Sequence, residues 1–176
     1  MLQDKFLPQY QFSEKHSIEI NANAEQVYHG ILQMNFSDSW IIGLLFRLRG
    51  LPSGSIRGIE GLKEMGFTVL EEKLNKEIMF GLVGQFWKAN GNIQVISPQT
   101  FSEFNQSDFA KTTWNFEIIQ HDDKRIRLET ETRILCLSES VRKRFSRYWF
   151  FIRPFSGLIR MEILRIIKKG TKKNSV

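Results

Sequence analysis

The chain has 176 residues, of which 41% are hydrophobic, 12% aromatic and 25% charged, the balance of one globular domain rather than of a disordered or fibrous chain. About 70% of the unfolded chain's surface can be buried at this length, the single cysteine, Cys136, excludes an internal disulfide framework, and with no Cys/His cluster a zinc module is excluded too. The formal charge of +6 is unevenly placed: from Glu139 to Val176 eleven Lys/Arg face two Glu, a balance of +9, while the remaining fourteen Lys/Arg and seventeen Asp/Glu balance to −3, which points to an anionic partner for the C-terminal segment or to a solvated helix face.

The longest apolar run, Trp40 to Phe46, is far short of the ~20 residues of a membrane-spanning helix. Met1 to Lys5 lacks the cationic and apolar regions of a signal peptide, so a cytoplasmic protein is expected.

Glu14, His16, Ile18 and Ile20 alternate with Lys15, Ser17 and Glu19, the period of a strand with one half-buried face. A helix follows, with Asn23 as N-cap, Gln26 three residues on as in a capping box, and Val27, Ile31 and Met34 on one face. A second short helix is expected from Ser37 to Leu48, with Trp40, Ile41, Leu44, Leu45 and Leu48 apolar at helical spacing. Gly50 to Gly66 holds five of the twelve glycines and reads as a long loop with one helical turn at Glu60 to Met65.

Six strands are then expected: Phe67 to Glu72, Glu77 to Val83, Asn92 to Ile96, Phe101 to Phe104, Thr112 to Gln120 and Arg125 to Leu137. The short polar separators, such as Leu74-Asn75-Lys76 and Ser97-Pro98-Gln99, make them antiparallel hairpins. From Ser138 to Lys169 the period returns to 3.6, with Val141, Phe145, Tyr148, Trp149 and Ile152 on one stripe and Phe155, Ile159, Ile163 and Ile166 continuing it. Pro154 lacks an N–H and its ring meets the carbonyl of Phe150, so two segments meeting at a kink are expected. The order is α+β, with a curved antiparallel sheet of about seven strands around a long C-terminal helix. The expected single domain has its core at about 12–169, with 1–11 and 170–176 as flexible ends.

This order resembles the helix-grip superfamily that includes the START lipid-transfer domains, the birch-pollen-allergen-like proteins and the polyketide cyclases, often labelled SRPBCC. The local matches are to a bacterial branch and comprise Gly81-Leu82-Val83-Gly84-Gln85-Phe86-Trp87, Thr130-Glu131-Thr132-Arg133, and Phe145 with Tyr148-Trp149, Pro154 and Ser156-Gly157-Leu158-Ile159-Arg160. They are diagnostic of no chemistry. The resemblance implies a cavity between sheet and long helix that takes an apolar ligand.

No catalytic residue is identified. His16, His29 and His121 fall on a strand, a helix and a turn with no spacing that makes a triad or ligand set, and neither a metal nor a cofactor is expected. Arg127, Glu129, Glu131 and Arg133 alternate with Leu128, Thr130, Thr132 and Ile134 and share one strand face; they form either an exposed row or, if the strand twists, a polar cavity pair, Glu131 and Arg133. The candidate ligand-binding residues are Phe80, Leu82, Trp87, Trp114, Phe116, Leu128, Thr130, Phe145, Tyr148, Trp149 and Ile152; taken singly, each reads more simply as plain core, and it is their number that points to gaps in the interior.

The function expected is binding, including transport, of an apolar or amphipathic small molecule such as a lipid or polyketide-like compound. The alternatives are a cyclase- or aromatase-like enzyme using Glu131 or Arg133, and an interaction module acting through the basic helix. On a helical projection Phe150 and Phe151 lie beside Lys143, Arg144 and Arg147, away from the buried stripe, so they serve either packing under a loop of the same domain or against a second protomer, or a peripheral contact with an anionic membrane. No nucleic acid is expected, and the protein is a monomer or a homodimer.

Overall fold

The computed structural model describes residues 1–48, 57–88, 90–122 and 125–173, the side chains of 45–48 and 173 excepted. Residues 50–56 of the expected loop at Gly50 to Gly66 lie outside them.

The alternating segment forms β1 (Phe12–Ile20), and Asn23 caps α2 (Ala24–Leu32), its side chain accepting from Gln26 N while the Gln26 side chain accepts from Asn23 N. A single 3-10 turn at Phe36–Asp38 leads into α3 (Trp40–Leu48). Ile42 is buried there while Trp40 and Leu44 are exposed, so these two members of the expected stripe do not meet the core; the side chains of Leu45 and Leu48 lie outside the described residues. After α4 (Gly58–Glu64) come β2 (Thr68–Lys73) and β3 (Glu77–Gly84), joined by a turn with Asn75 at φ 56°, a left-handed conformation that asparagine tolerates. β4 (Ala110–Asp122) and β5 (Arg125–Cys136) complete the sheet.

The sheet has five strands, not seven, all antiparallel in the order β1-β5-β4-β3-β2. Asn92 to Ile96 makes one bridge, Gln94 to Val83. Phe101 to Phe104 falls mostly in α5 (Pro98–Glu103): Ser97 is its N-cap, Thr100 returns the bond, and Pro98 sits in its first turn. Ser97-Pro98 is therefore a helix start rather than a hairpin separator, since proline's fixed φ suits the first helical position.

α6 runs as one element from Glu139 to Lys173 with Pro154 inside it, correcting the expected division into two segments. Pro154 and Phe150 are both exposed, so the carbonyl that loses its N–H donor lies on the solvent side. The helix crosses the inner face of the sheet, where Ile163, Leu164, Ile166 and Ile167 join Val27, Ile31, Phe80, Phe116, Leu128 and neighbours in the main core. A second apolar cluster lies at the other end of α6, with Val141 and Phe145 against Ile134, Cys136 and Phe12.

The N-terminal residues are not a loose end. α1 (Leu2–Phe6) lies on the outer face of the sheet, with Leu2 and Leu7 packed against Met79, Val83, Phe101 and Phe109. Gln3 has no exposed surface; it donates to the Glu131 carbonyl at 2.8 Å and accepts from the Thr113 hydroxyl at 2.5 Å. The sheet is thus covered on both faces, which period-two alternation alone does not reveal.

Also on the outer face, Glu77, Glu117 and Glu129 stand in register across three strands. Glu77 accepts from Leu2 N at 3.0 Å and from Asn115 Nδ2 at 2.7 Å, and Glu129 pairs with Lys15 and Arg127. Burial, followed by the neighbouring Glu77 charge, pushes the Glu117 carboxyl above its ordinary range.

Two outcomes follow from this outer layer. Leu7→Ala lowers stability by about 2–5 kcal/mol in denaturant melts, the range for a truncated buried leucine, whereas a flexible tail would give no change. Because its folded pKa is raised, protonated Glu117 favours the folded state, and that contribution is lost as pH rises through the folded value. Glu117→Gln therefore raises the melting temperature at neutral pH, and the gain disappears below the ordinary carboxylate range, where the wild-type group is protonated in both states.

Candidate functional site

The inner face changes character along its length. On β1, Phe12 belongs to one apolar cluster and Ile20 to the other, with Ile18 packed against the latter; Glu14 and His16 lie between. β5 follows the same order, with Ile134 at one end, Leu128 and Ile126 at the other, and Thr132 and Thr130 between. Pairing places Glu14 opposite Thr132, and His16 opposite Thr130. Thr132 in turn faces Trp114, so a polar layer crosses the sheet between two apolar clusters.

α6 meets this layer at Gly157 and Arg160. A Cβ on Gly157 would come within 2.7 Å of Glu14 Oε1, so the absence of a side chain lets the helix approach the carboxylate. Three residues on, the Arg160 guanidinium lies 5.0 Å from the centre of the Trp114 ring, a cation–π geometry. Burial lowers its pKa to about 10, with the Glu14 carboxylate acting in the opposite direction; the guanidinium stays protonated at neutral pH.

The polar atoms of this layer are incompletely bonded. Glu14 Oε1 lies 3.2 Å from His16 Nε2, but Glu14 Oε2, Thr132 Oγ1 and Arg160 Nε are buried without any partner. Thr130, by contrast, is satisfied: its hydroxyl accepts from Trp114 Nε1 at 2.7 Å and donates to the Asn115 carbonyl at 2.7 Å. Native proteins leave few buried polar atoms unbonded, and each costs ~1–3 kcal/mol. Three of them in one layer form a place where donors and acceptors of another molecule can be received.

The eleven residues named as ligand contacts separate into distinct surroundings. Phe80, Phe116 and Leu128 have no exposed surface and sit in the main core with Trp114, and Leu82 is buried as well. Phe145, Tyr148, Trp149 and Trp87 gather with Phe12 and Phe86 in the second cluster, Phe145 stacking on Trp149 at 5.8 Å and meeting Trp87 edge-on at 6.5 Å. Trp87 Nε1 is buried there without a partner, and Ile152 is half-buried on α6.

Glu131 and Arg133 are neither an exposed row nor a pair in the helix-facing interior. They lie on the outer face beneath α1, where Arg133 donates to Glu131 Oε1 at 2.8 Å, to Asp4 Oδ1 at 2.7 Å and to the Leu7 carbonyl at 3.4 Å. The Arg133 guanidinium holds the Asp4 carboxyl below its usual range. Their network fastens the N-terminal helix. Besides Thr130, the polar groups between sheet and helix are Glu14, His16 and Thr132 on the strands and Arg160 on α6, which the sequence shows only as strand periodicity, an isolated histidine or motif positions. The available signal was polar residues at inward positions, Glu14 and His16 in step with Ile18 and Ile20.

Two clefts lie elsewhere: one of about 500 Å³ at the β2–β3 turn, lined by Leu74, Lys76 and Glu117 among others, and one of about 180 Å³ between α2 and the end of α6.

No protein-family model matches the sequence, and no curated protein matches it. Among solved structures, a conserved protein from Geobacillus kaustophilus is similar at 12% identity, with 92% of this chain and 96% of that one covered and a TM-score of 0.48. A point mutant of norcoclaurine synthase from Thalictrum, in complex with a transition-state analogue, has 9% identity over 94% of this chain and 96% of that one, at a TM-score of 0.42. A Streptomyces aromatase/cyclase has 10% identity over 94% and 96%, at 0.36.

Proposed function

We propose that the protein binds an amphipathic small molecule, whose polar group enters the Glu14–Thr132–Arg160 layer and whose apolar part lies along the neighbouring rings of Trp114, Trp149 and Trp87. The observation that carries this reading is the set of unpartnered buried atoms Glu14 Oε2, Thr132 Oγ1 and Arg160 Nε. Their chemistry selects the ligand. An anion would meet Glu14 and a cation would meet Arg160, whereas a neutral hydroxyl accepts from the guanidinium and donates to the carboxylate. A lipid alcohol or a polyketide-like phenol has that group on an apolar body. Binding, including carriage of the molecule, needs no catalytic step, and the enzymatic alternative loses its residues because Glu131 and Arg133 are engaged under α1.

Displacement of Nile red by dodecanol and by dodecane, in the wild type and in Thr132→Val, tests the proposal. Valine keeps the shape of threonine and removes an unpartnered hydroxyl, so the ligand-free variant is more stable by about 1 kcal/mol. Its dodecanol affinity falls about fivefold, the ratio that ~1 kcal/mol gives. Dodecanol displacing no better than dodecane, or Thr132→Val leaving both quantities unchanged, would overturn the reading.

A further inference from the structure

The outward side of α6 carries apolar side chains that nothing in the fold explains. Phe150 and Phe151 are 77% and 69% exposed and touch only edge-to-face, with ring centres 5.4 Å apart. At 3.6 residues per turn, Leu158 and Met161 continue the same side of the helix, and both are exposed. From Phe150 to Met161 this strip is about 16 Å long. α3, which is tied to α6 by the Ser39 hydroxyl donating to Glu162 Oε2 at 3.2 Å, presents Trp40, also 77% exposed.

Cations bracket the strip. Lys143, Arg144 and Arg147 precede it on the exposed side, and among the described residues they form no ion pair. Arg165 and Lys169 follow it, both exposed. Glu162, the only acid between Lys143 and Lys172, is occupied by Ser39 and Arg165. The strip therefore has a basic collar at each end and no free carboxylate along it.

We propose that this side of α6 docks on an anionic lipid bilayer, the helix lying in the plane of the interface with Phe150, Phe151, Leu158 and Met161 below the headgroups. Three features select this occupant. Apolar side chains flanked by lysine and arginine match a surface that is hydrocarbon beneath a layer of negative charge. A single convex helix side offers no groove to a protein partner but fits a deformable plane. A second copy of the chain would bring two basic segments together in either orientation, opposed by like-charge repulsion. The proposal does not depend on the interior layer, which lies on the other side of the helix.

Co-sedimentation of the full chain with vesicles of phosphatidylcholine, with and without phosphatidylglycerol, tests it. Binding should require phosphatidylglycerol, weaken at high salt, and fall about tenfold or more in Phe150→Ser/Phe151→Ser with the melting temperature kept. Lys143→Gln/Arg144→Gln/Arg147→Gln, at exposed helix positions, should lose most of the preference for the anionic vesicles. Absence of binding, equal binding to both vesicle types, or a double serine variant whose only change is dissociation of a dimer would overturn it.

Discussion

A half-buried carboxylate and a half-buried guanidinium, each with one buried unpartnered atom, share one layer between helix and sheet without pairing to each other. Glu14 bonds to His16, Arg160 lies over Trp114, and Thr132 between them has a hydroxyl with no partner. Buried polar atoms without a partner are costly, so the three in this layer weaken the fold unless something completes them. The fold nonetheless brings the groups together: Gly157 admits the helix to Glu14, strand register sets Glu14 beside Thr132, and apolar clusters on both sides fix the position of α6.

The other polar layer shows the contrast. On the outer face, Gln3, Thr113, Asn115, Glu131 and Arg133 are buried more deeply than Glu14 or Arg160, yet they are joined by short bonds that reach from α1 across the sheet. A fully bonded network makes the arrangement of its members specific; here it holds α1, whose Leu2, with Leu7 just after the helix, closes the outer core. Burial alone therefore does not mark a site. The difference between the layers is satisfaction: Glu131 and Arg133 are fully bonded beneath α1, while Glu14, Thr132 and Arg160 keep the unpartnered atoms on which the proposed binding rests. Among the described residues no helix is long and apolar enough to cross a membrane.

Local chemistry was legible in the sequence where it acts within a few residues. The Asn23 capping box, the alternation of β1 and the helical period after Ser138 all reappear as α2, β1 and α6. Reading failed where two local meanings compete: Ser97-Pro98 serves a turn or a helix start, and only the returning Thr100 bond decides. It failed again where the outcome is set by distant packing. Alternation shows that Glu131 and Thr132 face opposite ways, but which face receives α6 and which receives α1 depends on residues more than a hundred positions away. The exposed Phe150 and Phe151 were legible because a helix with one apolar stripe already filled leaves other rings outside.

The most direct measurement of the central claim is native mass spectrometry of the protein as isolated, with the released molecule identified after denaturation. The account predicts one equivalent of a neutral, hydroxyl-bearing amphipathic compound that leaves on unfolding and that the purified protein takes up again on refolding. A chain that is always of bare mass, and that takes up no such compound while folded, would contradict it and would assign the Glu14–Thr132–Arg160 layer to water alone.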